Sequence, residues 1–168
     1  HLEKSNKAKG TIYCYTDFPL LHDSLHLHLA SFSSESLSPI LGKHENPEEG
    51  IEDFEIASLF PTYDGGVVMV LERTKQNLRY VDGRYSSFGS IGRNIVDYYF
   101  ADLLVVALKN DVAIDWTNIL PKKQFSQDDS GIYSSYFLVK TPSRMRLIYN
   151  DEIKNSNTVS EYIMDPMG

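Results

Sequence analysis

Residues 60 to 72 read "FPTYDGGVVMVLE", a turn signal set between two stretches of aliphatic and aromatic residues. Asp-Gly tolerates the positive φ angles that a two-residue hairpin loop requires. "FEIASLFPTY" (54 to 63) is therefore expected to form one strand and "VVMVLERTK" (67 to 75) its antiparallel partner. Downstream, "NLRYVDGRYSSFGSIGRN" (77 to 94) has the Gly, Ser and Arg content of a loop, and "IVDYYFADLLVVALK" (95 to 109) is β-branched and aromatic enough for a long strand. A helix over that stretch would need an N-cap and an amphipathic stripe, and neither is evident. Asn110 and Asp111 turn the chain into "VAIDWTNIL" (112 to 120), and Pro121, with no amide hydrogen for a ladder, ends that strand. These four strands form an up-and-down meander.

Working outward, "KKQFSQDDSG" (122 to 131) reads as a loop, and the pattern restarts with "IYSSYFLVKT", a turn at "PSR", and "MRLIYNDEI". Strand order and spacing match four-stranded propeller blades, which repeat at about 40 to 50 residues. On the N-terminal side, "HLEKSNKAKG" is a polar loose end or lead-in, while "TIYCYTDF" and "SLHLHLASF" have strand character. Residues 33 to 53, rich in Ser, Pro, Glu and Gly, read as a surface connection with one short strand around Pro39 to Gly42. The expected fold is all-β, built of antiparallel four-stranded meanders like the blades of a partial propeller. Its divisions are 1–53 (N-terminal strands and surface connection), 54–124 (a blade-like meander) and 125–168 (the start of a further one).

Composition narrows the function classes. The chain has 168 residues, 42% of them hydrophobic and 23% charged, enough for a real core. A net charge of −7 lacks the surplus of Lys and Arg that phosphate neutralisation needs, which argues against a general nucleic-acid binder. The longest apolar run, "LLVVAL", is far short of the roughly 20 residues of a membrane-spanning helix. Cys14 is the single cysteine and is expected to be a small buried side chain rather than a nucleophile. With His1 first and no apolar leader, the chain reads as a processed or excised piece of a longer product.

Chemistry-bearing clusters are sparse. His26 and His28 project alike from one strand, with His22 nearby, but Leu25, Leu27 and Leu29 explain the alternation without a metal. "DDSG" (128 to 131) lacks the spacing of a calcium loop of the helix-loop-helix type. No cofactor or metal is expected. Trp116 reads as a packing residue, and Lys122 and Lys123 as a solvated edge that discourages strand pairing. In a meander the connections alternate ends, so the loops 77 to 94 and 121 to 131 emerge on one edge. Together they offer a binding surface of Arg79, Tyr80, Arg84, Tyr85 and Arg93 beside Lys122, Lys123, Gln124, Asp128 and Asp129. That set suits a glycan, a protein partner or an anionic ligand. The rival reading is a glycan hydrolase using acids such as Asp64, Asp102 or Asp128.

Four segments carry a resemblance. "FPTYDGGVVMVLE", "YYFADLLVVAL", "DWTNILPKKQFSQDDSGIYSS" and "LIYNDE" resemble a recurring signature of large secreted or envelope-associated proteins of Bacteroidetes. Its order is GG-V-L-E, Y-x-D-hydrophobic-V, W-x-x-x-I-P-K-x-Q, Y-S-S and I-Y-N-D, and it covers residues 54 to 152. The resemblance implies a propeller-like build, no known catalytic residues, and a periplasmic, outer-membrane-associated or extracellular location. In that picture 153 to 168 lead toward a further strand that this chain lacks, and since about two blades cannot shut a ring, the piece is expected to pack on itself differently, to pair with other chains, or to depend on a missing remainder. The expected role is noncatalytic binding or scaffolding.

Overall fold

A computed structural model describes residues 7–16, 25–41, 46–82, 92–111, 113–153, 156–165 and 168. The protein is all-β, with antiparallel sheets and almost no helix. Among the described residues ten strands follow in order: β1 Gly10–Thr16, β2 Leu25–Ser31, β3 Phe54–Pro61, β4 Val67–Val81, β5 Arg93–Leu108, β6 Ile114–Leu120, β7 Gln124–Gln127, β8 Phe137–Lys140, β9 Met145–Ile153 and β10 Ser156–Met164. Strands β3 to β6 lie in sequence order, the expected meander, and β7 also pairs with β5. The chain divides into two compact units, 1–71 with 104–119 and 168, and 72–103 with 120–167. Strands β4 and β5 each contribute residues to both.

In the first unit the hairpin that opens the meander has a three-residue loop, one residue longer than expected. Thr62 N–H donates to the Gly66 carbonyl at 2.9 Å and Gly65 N–H to the Thr62 carbonyl at 3.3 Å. The Asp64 carboxylate accepts from Thr62 Oγ1 at 2.5 Å and from Gly66 N–H at 3.4 Å, which draws its pKa below the ordinary value. Positive φ then falls on Gly65 (84°) alone, the arrangement of a type I turn closed by a left-handed glycine. Gly66 is required for another reason, since a Cβ there would stand 2.3 Å from the Leu108 carbonyl oxygen.

Alternate residues at the start of β4 and the end of β5, Val67, Met69 and Leu71 with Leu104, Val106 and Leu108, enter one apolar core. Leu37, Ile40 and Ile51 complete it, at 1%, 6% and 1% exposure. The stretch 33 to 53, expected to be a surface connection with a short strand, therefore supplies core. Ser33 caps a short helix, α1 Ser34–Leu37, its side chain accepting from Ser36 N–H, and this turn sends Leu37 inward. A 3-10 turn spans Pro47–Glu49. The lead-in is not loose throughout: Ala8 and Ile51 exchange backbone bonds of 2.8 and 2.9 Å, and Lys7 pairs with Glu49 at 2.6 Å. Strands β1 and β2 pair from Gly10↔Ser31 to Thr16↔Leu25. The side chains of Cys14, His26 and His28, and all of His22, lie outside the described residues.

In the second unit β8, β9 and β10 form a three-stranded sheet in the order β10-β9-β8. The turn expected at "PSR" is present, closed by Thr141 N–H to the Arg144 carbonyl at 2.8 Å. Met145, Leu147 and Tyr149 are buried on one face, and Tyr149 stacks on Tyr162 with ring centroids 5.7 Å apart. Burial raises the Tyr149 pKa well above the ordinary phenol value. The further strand expected to be missing after residue 153 is present as β10, which pairs with β9 from Ser156↔Ile153 to Met164↔Met145. The strand expected over 132 to 141 begins only at Phe137, because Asp128, Ser130, Gly131 and Ser135 hold positive φ and wind the chain into turns.

Candidate functional site

The ladder between β5 and its neighbours breaks at Pro121–Lys123 and resumes with β7, paired from Phe100↔Gln124 to Asp97↔Gln127. Pro121 cannot donate, and Lys122 N–H turns to the Asp102 carboxylate at 3.4 Å. This twist in the chain overturns the expected solvated edge at Lys122, while Lys123 stays exposed. The Lys122 side chain is 0% exposed and that of Glu72 is 3% exposed, with Nζ 2.6 Å from Glu72 Oε1. Residues 124 to 127, expected in a loop, form β7 because that turn returns the backbone to register with β5.

A closed polar network grows from this pair. Lys122 Nζ also donates to Gln124 Oε1 at 2.6 Å and lies 5.8 Å from the Phe100 ring centroid. Gln124 Oε1 accepts a second bond from Ser135 N–H at 2.8 Å, and Gln124 Nε2 donates to the Asn150 carbonyl at 2.7 Å. Ser135 Oγ donates to the second Glu72 oxygen, and Asn150 Nδ2 donates to the Tyr133 carbonyl at 3.0 Å. Burial lowers the Lys122 pKa, opposed by Glu72 and Asp102. Buried charges are tolerated because each has a partner and further hydrogen bonds. The network joins β4, β7, β9 and the loop after Asp128, and its members Glu72, Lys122, Gln124, Ser135 and Asn150 all fall inside the four resembling segments.

A second cluster lies on the same strands. Arg79 Nε and Nη2 grip Asp97 at 2.5 and 3.3 Å, and Gln127 Nε2 donates to the same carboxylate at 2.7 Å. These contacts lower the Asp97 pKa, with the Arg79 bond the largest cause, and raise that of Arg79. Asp128 Oδ1 caps Val96 N–H at 2.8 Å, and Asp128 N–H returns a bond to the Val96 carbonyl.

Between β7, the loop 128 to 135 and β9 runs an open groove of about 420 Å³. Phe125, Tyr133, Asp129, Asp151, Ser126 and Ser134 line it together with Gln124 and Asn150 of the network. Phe125 is 46% exposed and Tyr133 71% exposed. Large exposed rings beside polar groups on a fixed backbone are what a binding surface needs.

Of the residues expected to form that surface, the structure gathers Arg79 and Asp128 at the start of β5 and puts Asp129 in the groove. Lys122 and Gln124 are interior, since their polar atoms face Glu72, Ser135 and Asn150 rather than solvent. Lys123, Tyr80 and Arg93 are exposed, and Arg84 and Tyr85 lie outside the described residues. Trp116 is half-buried. Of the acids considered for hydrolysis, Asp64 holds its own hairpin, Asp102 faces Arg73 at 3.7 Å, and Asp128 caps Val96. Glu72, Ser135, Phe125, Tyr133 and Asp151 escaped the sequence reading. Glu72 carried one signal: a charge that directly continues the apolar run "VVMVL". No group of three or more metal-ligating side chains occurs among the described residues, and no described helix is long and apolar enough to cross a membrane. Comparison with protein-family models, curated proteins and solved structures finds no match.

Proposed function

We propose that this chain is a noncatalytic binding or scaffolding module whose contact surface is the groove between β7 and β9, with a glycan or a protein as ligand. The observation that carries the reading is the presence of exposed Phe125 and Tyr133 in a groove whose lining also includes Gln124 and Asn150 of the hydrogen-bonded network. Preorganised backbone lowers the ordering cost of binding, and aromatic rings supply contact area with few rotatable bonds. The left-handed residues Asp128, Ser130 and Ser135 fit the same reading, because each costs about 1 to 3 kcal/mol and such strain gathers at ligand-binding segments. An anionic ligand is disfavoured, since Lys122 is neutralised by Glu72 and Arg79 by Asp97. The meander and the three-stranded sheet are proposed as propeller-like blades of a larger assembly. Placement in the bacterial envelope or outside the cell rests on the resemblance of residues 54 to 152.

A combined glycan and peptide array tests this. The Phe125→Ala/Tyr133→Ala variant should lose binding by about tenfold or more, equivalent to 1.4 kcal/mol, while Lys123→Ala should not. Binding retained by the double variant would remove this surface. Release of reducing sugar ends, abolished by Asp129→Asn, would replace binding with hydrolysis.

A further inference from the structure

The charge of the groove's lining narrows the ligand. One donor of each amide is engaged, Gln124 Nε2 with the Asn150 carbonyl and Asn150 Nδ2 with the Tyr133 carbonyl. Ser134 Oγ is directed at Ser126 Oγ. Its carboxylates are only half engaged. Asp129 accepts from Gly131 N–H through Oδ1, and Asp151 accepts from Ser160 Oγ through Oδ2, which leaves a second oxygen on each. Among the described residues no Lys or Arg lines the groove.

We propose that the groove receives a cationic side chain, an arginine guanidinium, from an extended segment of a partner protein. The inference rests on the binding reading above and sharpens it. A guanidinium has five donors, no acceptor and a fixed positive charge, so it complements a lining with two carboxylates, each with an oxygen to spare, and no basic side chain. The exposed Phe125 and Tyr133 rings add π faces on which a planar cation stacks. A net charge of −7 favours its approach over that of an anion. The volume of about 420 Å³ lies in the range that takes a whole small ligand, so one basic side chain leaves room for its flanking backbone.

The test is a titration of the isotopically labelled chain followed by amide chemical shifts. The probes are the peptide acetyl-Ala-Arg-Ala-Arg-Ala-amide, the single unit acetyl-arginine methylamide, and maltotriose. The peptide should move the resonances of Asp129, Tyr133 and Asp151. Asp129→Asn/Asp151→Asn, which keeps both existing hydrogen bonds, should weaken it by about tenfold or more, and Tyr133→Ala by roughly threefold. Glu35→Gln/Glu55→Gln removes the same charge from exposed positions of the other unit and should leave the affinity unchanged. An equal loss in that control would reduce the effect to general attraction and overturn the proposal. The single unit binding as tightly as the peptide would overturn the partner segment in favour of a small free cation. Maltotriose moving the groove resonances while the peptide does not would overturn the cation and keep the binding surface. Silence toward all three probes would remove both.

Discussion

Strands β4 and β5 are built in two different ways along their length. From Val67 to Leu71 and from Leu104 to Leu108 they are buried without interruption, and the first unit is held by apolar packing. Beyond Glu72 and before Leu103 the same strands carry Arg73, Arg79, Asp97 and Asp102, and the second unit is held around an ion pair and amides. The contrast separates two kinds of specification. An aliphatic core tolerates exchange of one branched side chain for another of similar volume. A buried ion pair tolerates no change of a single partner, because what remains is an unpaired charge out of water.

The largest effect should therefore come from the polar half. Lys122→Ala should destabilise the second unit by about 3 to 5 kcal/mol, measured by chemical denaturation monitored through amide resonances of β9. Glu72→Leu/Lys122→Met, which removes both charges and keeps volume, should recover most of that loss. If the double variant is as unstable as the single one, the hydrogen bonds to Ser135 and Gln124 carry the stability and the contrast with the apolar half fails.

In the apolar half, Leu104→Ala should cost about 2 to 5 kcal/mol, with Trp116 fluorescence reporting the first unit. A smaller, local effect belongs to the hairpin. Gly65→Ala places a Cβ at a φ of 84° and should cost about 1 to 2 kcal/mol without changing the strand register. The smallest effect is confined to acid. Asp97 titrates below the ordinary carboxylate pKa of about 3.9 because Arg79 and Gln127 bond its charged form. The unfolded chain then takes up the proton first, so this contribution is complete above about pH 4 and is lost as pH falls through the folded value. Asp97→Asn should flatten the dependence of the denaturation midpoint on pH below about 4 and lower stability at pH 7. An unchanged acid limb would mean that other carboxylates govern it.

The sequence disclosed the apolar half better than the polar one, for physical reasons. Asp-Gly-Gly and a β-branched run are local signals, and they located β3, β4, β5 and β6 in their correct order. Leu37, Ile40 and Ile51 were hidden because each is flanked by Ser, Pro or Glu, so composition spoke for the surface while the capped turn directed Leu37 and Ile40 inward and the bridge to Ala8 fixed Ile51. Lys122 was hidden more deeply. A lysine is exposed in most settings, and what buries this one is Glu72, 50 positions earlier, which no local pattern announces. The groove shares that fate. Asp129 was anticipated, but Phe125, Tyr133 and Asp151 become neighbours only after β7 and β9 are placed.

The bond between Ser135 and Glu72 spans 63 positions of chain. A contact so remote in sequence can close only after most of the intervening strands are in place, because the entropy of loop closure is spent before the contact stabilises anything. The second unit's network is thus expected to close late in folding, which low φ values for Ser135→Ala would bear out. Weakening it should speed unfolding while leaving the rate of folding nearly as it was, so its members act less as builders of the unit than as the latch that keeps it shut.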